Sequence, residues 1–146
     1  MKFGVTATVC LVLVAMPALA AEDSRLSPGE RFLSVWDLNG NGEVTRDELE
    51  TMRGRIFSSF DRNGDDVLNR AEYVAFDKAR AGDVSGYRGA ARQRMQRITD
   101  GMSRTTSDAD GDGKVSREEF IAGAQGWLAD LDRNGDGVIT RADFPR

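Results

Sequence analysis

Residues 108–119 have the sequence Asp108-Ala-Asp-Gly-Asp-Gly-Lys-Val-Ser-Arg-Glu-Glu119. Aspartate occupies the first, third and fifth positions, and these alternating carboxylates crowd negative charge into a small space, which is costly unless a cation lies among them. Gly113 at the sixth position permits a sharp turn with positive φ. Glu119 at the twelfth is long enough to return and offer both carboxylate oxygens. A flexible shell of oxygen donors suits a hard cation of calcium's size, so the stretch predicts a cation-binding loop.

The same pattern occurs three more times. The copies are Asp37-Leu-Asn-Gly-Asn-Gly-Glu-Val-Thr-Arg-Asp-Glu48, Asp61-Arg-Asn-Gly-Asp-Asp-Val-Leu-Asn-Arg-Ala-Glu72 and Asp132-Arg-Asn-Gly-Asp-Gly-Val-Ile-Thr-Arg-Ala-Asp143. In chain order, we call the four stretches loop 1 (37–48), loop 2 (61–72), loop 3 (108–119) and loop 4 (132–143). Loops 1 and 3 satisfy the motif D-x-[DN]-x-[DN]-G-x5-E, whereas Asp66 replaces the glycine in loop 2 and Asp143 replaces the glutamate in loop 4. On these residues the chain resembles the EF-hand family of calcium-binding proteins, within the calmodulin-like superfamily.

The resemblance implies an all-α EF-hand fold with short β pairing between loops, and a ligand set for each loop. Positions 1, 3, 5 and 12 supply side-chain oxygens, and position 7 supplies a backbone carbonyl. The expected metal ligands are Asp37, Asn39, Asn41, Glu43 and Glu48 in loop 1; Asp61, Asn63, Asp65, Val67 and Glu72 in loop 2; Asp108, Asp110, Asp112, Lys114 and Glu119 in loop 3; and Asp132, Asn134, Asp136, Val138 and Asp143 in loop 4. Position 8, which is apolar in this loop type and pairs the loops through a short strand, is filled by Val44, Leu68, Val115 and Ile139.

The four loops are expected to differ in affinity. Loop 3 carries four carboxylate ligands and should bind most tightly, while loop 1 has neutral asparagines at two of these positions and should bind more weakly. In loop 2, Asp66 must adopt the left-handed conformation, at a cost of about 1 kcal/mol. In loop 4, Asp143 is one methylene shorter than glutamate and reaches with one oxygen, which favours Mg²⁺ relative to Ca²⁺.

The spacing of the loops predicts which of them pair. Twenty-four positions separate Asp37 from Asp61, and the same number separates Asp108 from Asp132, so the chain is an internal duplication of a loop–helix–loop unit. A helix of about 12 residues between two loops spans ~18 Å and holds them at opposite ends. We therefore predict that loops pair between the halves. A bend at Gly54 or at residues 123–126 would instead allow pairing within a half.

The expected halves are residues 21–82, with loops 1 and 2, and residues 83–146, with loops 3 and 4. A break at 81–86 is predicted to separate them. A capping box is expected at Ser27, with Glu30 three residues later. A long helix is predicted from Tyr87 to about Arg104. Its arginines, Arg88, Arg92, Arg94, Arg97 and Arg104, form either a solvated face that offsets the acidic loops or a docking surface for an anionic partner or lipid headgroups.

Residues 1–20 are expected to be a signal peptide. Lys2 precedes an apolar run that contains Cys10 and ends in Ala18-Leu19-Ala20, which predicts cleavage after Ala20. The run is short for a membrane span. We therefore expect a bacterial-type periplasmic or secreted protein, without stable membrane insertion after cleavage and without cysteine in the mature chain.

The composition argues against an enzyme and against nucleic-acid binding. The chain has no histidine, the commonest general base, and its net charge is −4. The expected function is calcium binding by a non-enzymatic buffer or adaptor that calcium stabilises, with an unknown protein partner. The alternative is a calcium sensor that exposes an apolar surface to a partner, although Met52, Met95 and Met102 are too few for a methionine-rich groove.

Overall fold

The computed structural model describes residues 26–144, and the predicted signal peptide lies outside this range. The described elements are α1 (Pro28–Trp36), β1 (Glu43–Val44), α2 (Arg46–Phe60), β2 (Val67–Leu68), α3 (Arg70–Ser85), α4 (Gly89–Asp100), α5 (Arg104–Ser107), β3 (Val115–Ser116), α6 (Arg117–Leu131), β4 (Ile139–Thr140) and a 3₁₀ turn (Arg141–Asp143). The predicted capping box starts α1, where Ser27 Oγ accepts from the Glu30 N–H and Glu30 accepts from the Ser27 N–H. Between residues 26 and 144, no helix combines the length and apolarity needed to cross a bilayer.

The strands pair between the halves, as predicted. β1 is antiparallel to β4, with Val44 opposite Ile139, and β2 is antiparallel to β3, with Leu68 opposite Val115. Loop 1 therefore lies beside loop 4, and loop 2 beside loop 3. The bend that would have paired loops within a half does not form, because α2 and α6 each run unbroken for 15 residues. The all-α EF-hand fold with short β pairing is confirmed.

The core joins residues of both halves in one cluster. All four position-8 residues are at most 1% exposed, so each strand pair is anchored by apolar side chains. Helices α2 and α6 pack against each other, and they supply Leu49, Phe57, Phe120 and Trp127 to the core. This arrangement fixes the four loops at the ends of two helices that pack against each other.

The predicted break at 81–86 is wrong as a break in secondary structure. Helix α3 continues through Gly82 to Ser85, and Gly86 is its C-cap. Glycine inside a helix is tolerated where packing supports the turn. Here, Val84 is 3% exposed and anchors that turn. The division of the chain at 82/83 stays a prediction.

The predicted long helix from Tyr87 to Arg104 is in fact two helices. α4 ends at Asp100, Gly101 is its C-cap, and Ser103 caps α5 by accepting from the Thr106 N–H. The Trp127 ring packs against Gly101, and the Gly101 carbonyl accepts from Arg53 Nη1 at 3.3 Å, so tertiary contacts hold the turn. Four of the five arginines (88, 92, 97 and 104) are exposed. Their proposed docking role stays a prediction.

Two glycines provide a test of this packing. Gly101 has φ −62°, which any residue adopts, but a Cβ there would lie 2.0 Å from Trp127 Cδ1. We expect Gly101→Ala to lower the free energy of unfolding by about 1–3 kcal/mol through overpacking. Gly82→Ala meets no atom within 4 Å and is expected to raise it by about 0.5–1 kcal/mol. Urea denaturation of both variants measures these changes. If G101A is as stable as G82A, the close contact between Gly101 and the Trp127 ring is contradicted.

Candidate metal centres

The carboxylate at position 1 accepts three backbone hydrogen bonds in loops 1, 2 and 4. In loop 1, Asp37 Oδ1 accepts from the Gly40 and Asn41 N–H groups at 2.7 and 3.2 Å, and Oδ2 accepts from the Gly42 N–H at 2.8 Å. The equivalent bonds to Asp132 in loop 4 are 2.7, 3.2 and 2.8 Å. These bonds curl the backbone around the carboxylate, which brings positions 1 to 6 into a compact turn.

Loop 3 has the strongest indication of a cation site. Carboxylate oxygens of Asp108, Asp110 and Asp112 lie within 4.8 Å of one another. Asp108 Oδ2 accepts from the Gly113 N–H at 3.0 Å, but Asp108 Oδ1 is buried and has no hydrogen-bond partner. A buried carboxylate oxygen without a partner is costly. The donor set fits a hard cation, which would satisfy this oxygen and reduce the repulsion among the three acids.

Position 12 closes every loop. In loop 3, Glu119 Oε1 accepts from the Ala109 and Asp110 N–H groups at 3.1 and 3.3 Å, and Oε2 accepts from Ser116 N and Oγ, both at 2.8 Å. Hydrogen bonds from Ser116, followed by those from Asp110 and Ala109, lower the pKa of Glu119. The carboxylate therefore stays ionised at neutral pH, and its contribution to stability is lost as the pH falls through the lowered pKa.

The capping residues at position 9 lie outside the predicted ligand set, but each contacts the last member of that set in its loop. They are Thr45, Asn69, Ser116 and Thr140, and each makes a capping box with the acid at position 12 of its loop. The motif S/T-x-x-E, a known helix-start signal, is visible at residues 45–48 and 116–119. The acid at position 12 thus ties the start of the loop to the start of the following helix.

Asp66 adopts the left-handed conformation expected of it. Its φ is 60°, and within residues 26–144 it is the one residue other than glycine with positive φ. The Asp66 N–H donates to Asp61 Oδ2 at 3.1 Å, as the glycine N–H does at this position in the other loops. Loop 2 therefore keeps the shape of its neighbours despite the substitution.

Loop 4 also closes, although its last acid is an aspartate. Asp143, which is 2% exposed, accepts from the Arg133 N–H at 2.9 Å and the Thr140 N–H at 2.8 Å. Burial raises the pKa of Asp143, but the hydrogen bonds from Thr140, Arg133 and Asn134 outweigh it and hold the pKa below its ordinary value. The last helical element within residues 26–144 is a single 3₁₀ turn, Arg141–Asp143.

All twenty predicted ligands lie in the four loops, at the ends of α2 and α6. At position 5, the side chains of Asn41, Asp65, Asp112 and Asp136 accept from the N–H of position 7 at 2.9, 3.0, 2.8 and 3.1 Å. The two strand pairs bring the loops together, with sites 1 and 4 at one pair and sites 2 and 3 at the other. The ligand role of each residue stays a prediction.

Comparison with known proteins supports this interpretation of the loops. The family model described as EF hand matches residues 32–52, 108–123 and 124–145, which contain loops 1, 3 and 4. The matched residues leave out loop 2, the loop without the glycine at position 6. No curated protein and no solved structure matches the chain. The three matches indicate calcium binding and support an EF-hand calcium-binding family for this chain.

Proposed function

We propose that this protein is a non-enzymatic calcium-binding buffer or adaptor whose fold calcium stabilises, with up to four sites. The carrying observation is the partnerless buried Oδ1 of Asp108 beside the carboxylates of Asp110 and Asp112. A divalent cation at this point would satisfy that oxygen, and Glu119 would complete the shell from the other end of the loop. The absence of histidine from the whole chain supports a non-enzymatic role.

The surface favours a buffer or adaptor over a sensor. Among residues 26–144, Leu38 and Val74 are the exposed large hydrophobic side chains, and they lie in loop 1 and on α3, respectively. Met95 and Met102 are buried and Met52 is partly buried against the core. A sensor needs an adaptable apolar groove, and two exposed hydrophobic side chains are too few to form one.

The location and the metal preference are further parts of the proposal. The sequence of residues 1–20 supports export to the periplasm or the exterior, where calcium is abundant and extracellular modules of this loop type bind at ~10⁻⁴–10⁻³ M. At loop 4, the shorter Asp143 supports greater tolerance of Mg²⁺ than at the other three loops.

Calcium should raise the melting temperature. A single site filled at 100 times its Kd stabilises the native state by about 2.7 kcal/mol, which corresponds to a rise of roughly 10 °C for a domain of this size. Melting followed by circular dichroism, with CaCl₂ against EDTA, measures the shift. An equal concentration of KCl serves as the control, and an unchanged melting temperature would contradict the proposed function.

The binding of a hydrophobic dye distinguishes a buffer or adaptor from a sensor. We expect calcium to leave the fluorescence of the dye unchanged while the melting temperature rises, because the methionines stay in the core. A calcium-dependent increase in dye binding would instead assign the protein to the sensors.

A further inference from the structure

An ion pair joins loop 2 to loop 3. Arg117 Nε lies 2.6 Å from Asp66 Oδ1, and the Arg117 N–H donates to the Asp66 carbonyl at 3.1 Å. The same guanidinium lies over the Phe57 ring, 4.7 Å from its centre, and Nη1 donates to Ser58 Oγ at 3.2 Å. One arginine of loop 3 thus contacts the turn of loop 2 and the last part of α2.

The pair arises from a departure of loop 2 from the common pattern. Every loop has arginine at position 10, namely Arg46, Arg70, Arg117 and Arg141. If the strand registers are continued, by one residue for Arg117 and Arg141 and by two for Arg46 and Arg70, each of these arginines faces position 6 of the partner loop. Position 6 is glycine in loops 1, 3 and 4 and aspartate in loop 2, so Arg117 alone of the four faces a carboxylate there.

The other three arginines show what happens opposite glycine. Arg46 pairs with Glu50 of its own helix, and Arg141 pairs with Glu30 of α1. Arg70 is exposed, and among the described residues it has no ion pair and no side-chain hydrogen bond. Arg70 and Arg117 belong to the same strand pair, so the chain contains its own control for the Asp66 contact.

Asp66 contacts residues of both loop 2 and loop 3, so calcium binding in one loop can affect the other. Its carboxylate is engaged by Arg117, whereas its N–H donates to Asp61, the first ligand of loop 2. On the other side, Arg117 begins α6 and stands two residues before Glu119, the last ligand of loop 3. Fixing Glu119 on a cation would fix the start of α6, and thereby hold Asp66 in its left-handed turn.

We propose that Asp66 is a positioning residue for site 2 and that its pair with Arg117 links calcium binding at site 2 to calcium binding at site 3. This linkage rests on the proposed function, since it requires both loops to bind calcium. The substitution that weakens the backbone turn of loop 2 is offset by a contact that strengthens when loop 3 is filled. The affinity of site 2 therefore depends on the occupancy of site 3.

The linkage should be modest in size. The Asp66 side chain is 69% exposed and that of Arg117 is 35% exposed, so water screens the pair. Exposed ion pairs correspond to factors of up to about fivefold in an equilibrium constant. We expect a coupling of about threefold in calcium affinity.

Each loop has a glycine at position 4 whose amide resonance can report its site. Gly64 reports site 2 and Gly111 reports site 3 in a nuclear magnetic resonance titration with CaCl₂. Emptying site 3 with Glu119→Gln is expected to raise the calcium midpoint of Gly64 about threefold. In the Arg117→Gln variant, adding Glu119→Gln should leave the calcium midpoint of Gly64 unchanged, because the ion pair that couples the two sites is already absent. In Arg70→Gln, which removes the same charge from the same loop pair, the threefold effect should persist.

Asp66→Gly removes the other partner of the ion pair and leaves Arg117 in place. Glycine adopts φ 60° without strain, so loop 2 keeps its turn, yet E119Q should no longer shift Gly64. Circular dichroism in EDTA establishes that each variant is folded. An E119Q effect on Gly64 that is as large in R117Q and D66G as in R70Q overturns the linkage. If Gly111 responds to calcium and Gly64 does not, the linkage fails while calcium binding at site 3 stands. If no position-4 glycine responds, the proposed function fails.

Discussion

Replacing Arg53 with alanine is expected to lower the free energy of unfolding by about 3 kcal/mol, which is large for a residue in the middle of a helix. The Arg53 side chain is fully buried between α2 and α6. Its Nε donates to the Phe120 carbonyl and its Nη1 to the Gly101 carbonyl, and its guanidinium lies 4.5 Å from the centre of the Phe120 ring. Alanine would leave a cavity and two carbonyls without these donors, and each of these defects costs stability.

The environment of Arg53 is costly for a cation. Burial lowers its pKa to about 10, so it stays charged at neutral pH, yet within the described residues it forms no ion pair with a carboxylate and its Nη2 has no hydrogen-bond partner. The aromatic faces of Phe120 and Trp127, at 4.5 and 5.6 Å, partly replace the lost hydration. Gly123 makes room for the group, because a Cβ there would lie 2.6 Å from Nη2.

Two variants separate packing from charge at this position. Arg53→Met keeps most of the volume and removes the buried charge, so it should cost no more than about 1.5 kcal/mol. The control is Arg55→Ala, an exposed arginine on the same helix, which should change stability by less than about 0.5 kcal/mol. Urea denaturation in EDTA measures all three. If R53A is as stable as R55A, the contacts assigned to Arg53 do not stabilise the fold.

Replacing Glu119 with glutamine is expected to weaken calcium binding at loop 3 by more than about 100-fold. Loss of outer-shell partners alone costs 10–100-fold in metal affinity, and Glu119 is an expected direct ligand that offers two anionic oxygens. The amide retains one oxygen but no charge. Calorimetric titration with CaCl₂, compared with the midpoint of the Gly111 resonance, assigns the loss to site 3.

Glu118→Gln is the matched control for this prediction. Glu118 is exposed, carries the same charge and adjoins Glu119 in the sequence, but it occupies position 11, which supplies no ligand. Its substitution should change the affinity less than twofold or so, as expected of an exposed charge. Equal losses in E118Q and E119Q would mean that overall charge, and not ligation, governs binding. Glu72→Gln is expected to reduce total binding less than E119Q, because loop 2 has fewer carboxylate ligands than loop 3 and is expected to be the weaker site.

Much of the fold could be predicted because its signals are local. The loop residues recur at fixed positions, and the 24-residue spacing of loops on one helix rules out pairing within a half when that helix is straight. The position-8 residues then identify the strands. Each of these inferences needs only neighbouring residues and the length of a helix.

Three features could not be predicted because they depend on contacts between distant residues. Arg53 appears in the sequence as an ordinary polar residue on α2, and its burial depends on Gly101 and Gly123, which are 48 and 70 positions away. The helix predicted from Tyr87 is interrupted at Gly101, where Trp127 packs. The ion pair of Asp66 with Arg117 requires the strand register, which the separate motifs do not contain.

The two strand pairs differ in the length of chain that each must close. Leu68 and Val115 are 47 positions apart, whereas Val44 and Ile139 are 95 apart. A doubling of the closed segment adds only about 0.6 kcal/mol of entropic cost. Once the β2–β3 pair has formed, it also shortens the effective length of chain that the β1–β4 pair must close. We therefore expect folding to proceed from the middle of the chain towards its ends, with loops 1 and 4 the last to acquire their final shape.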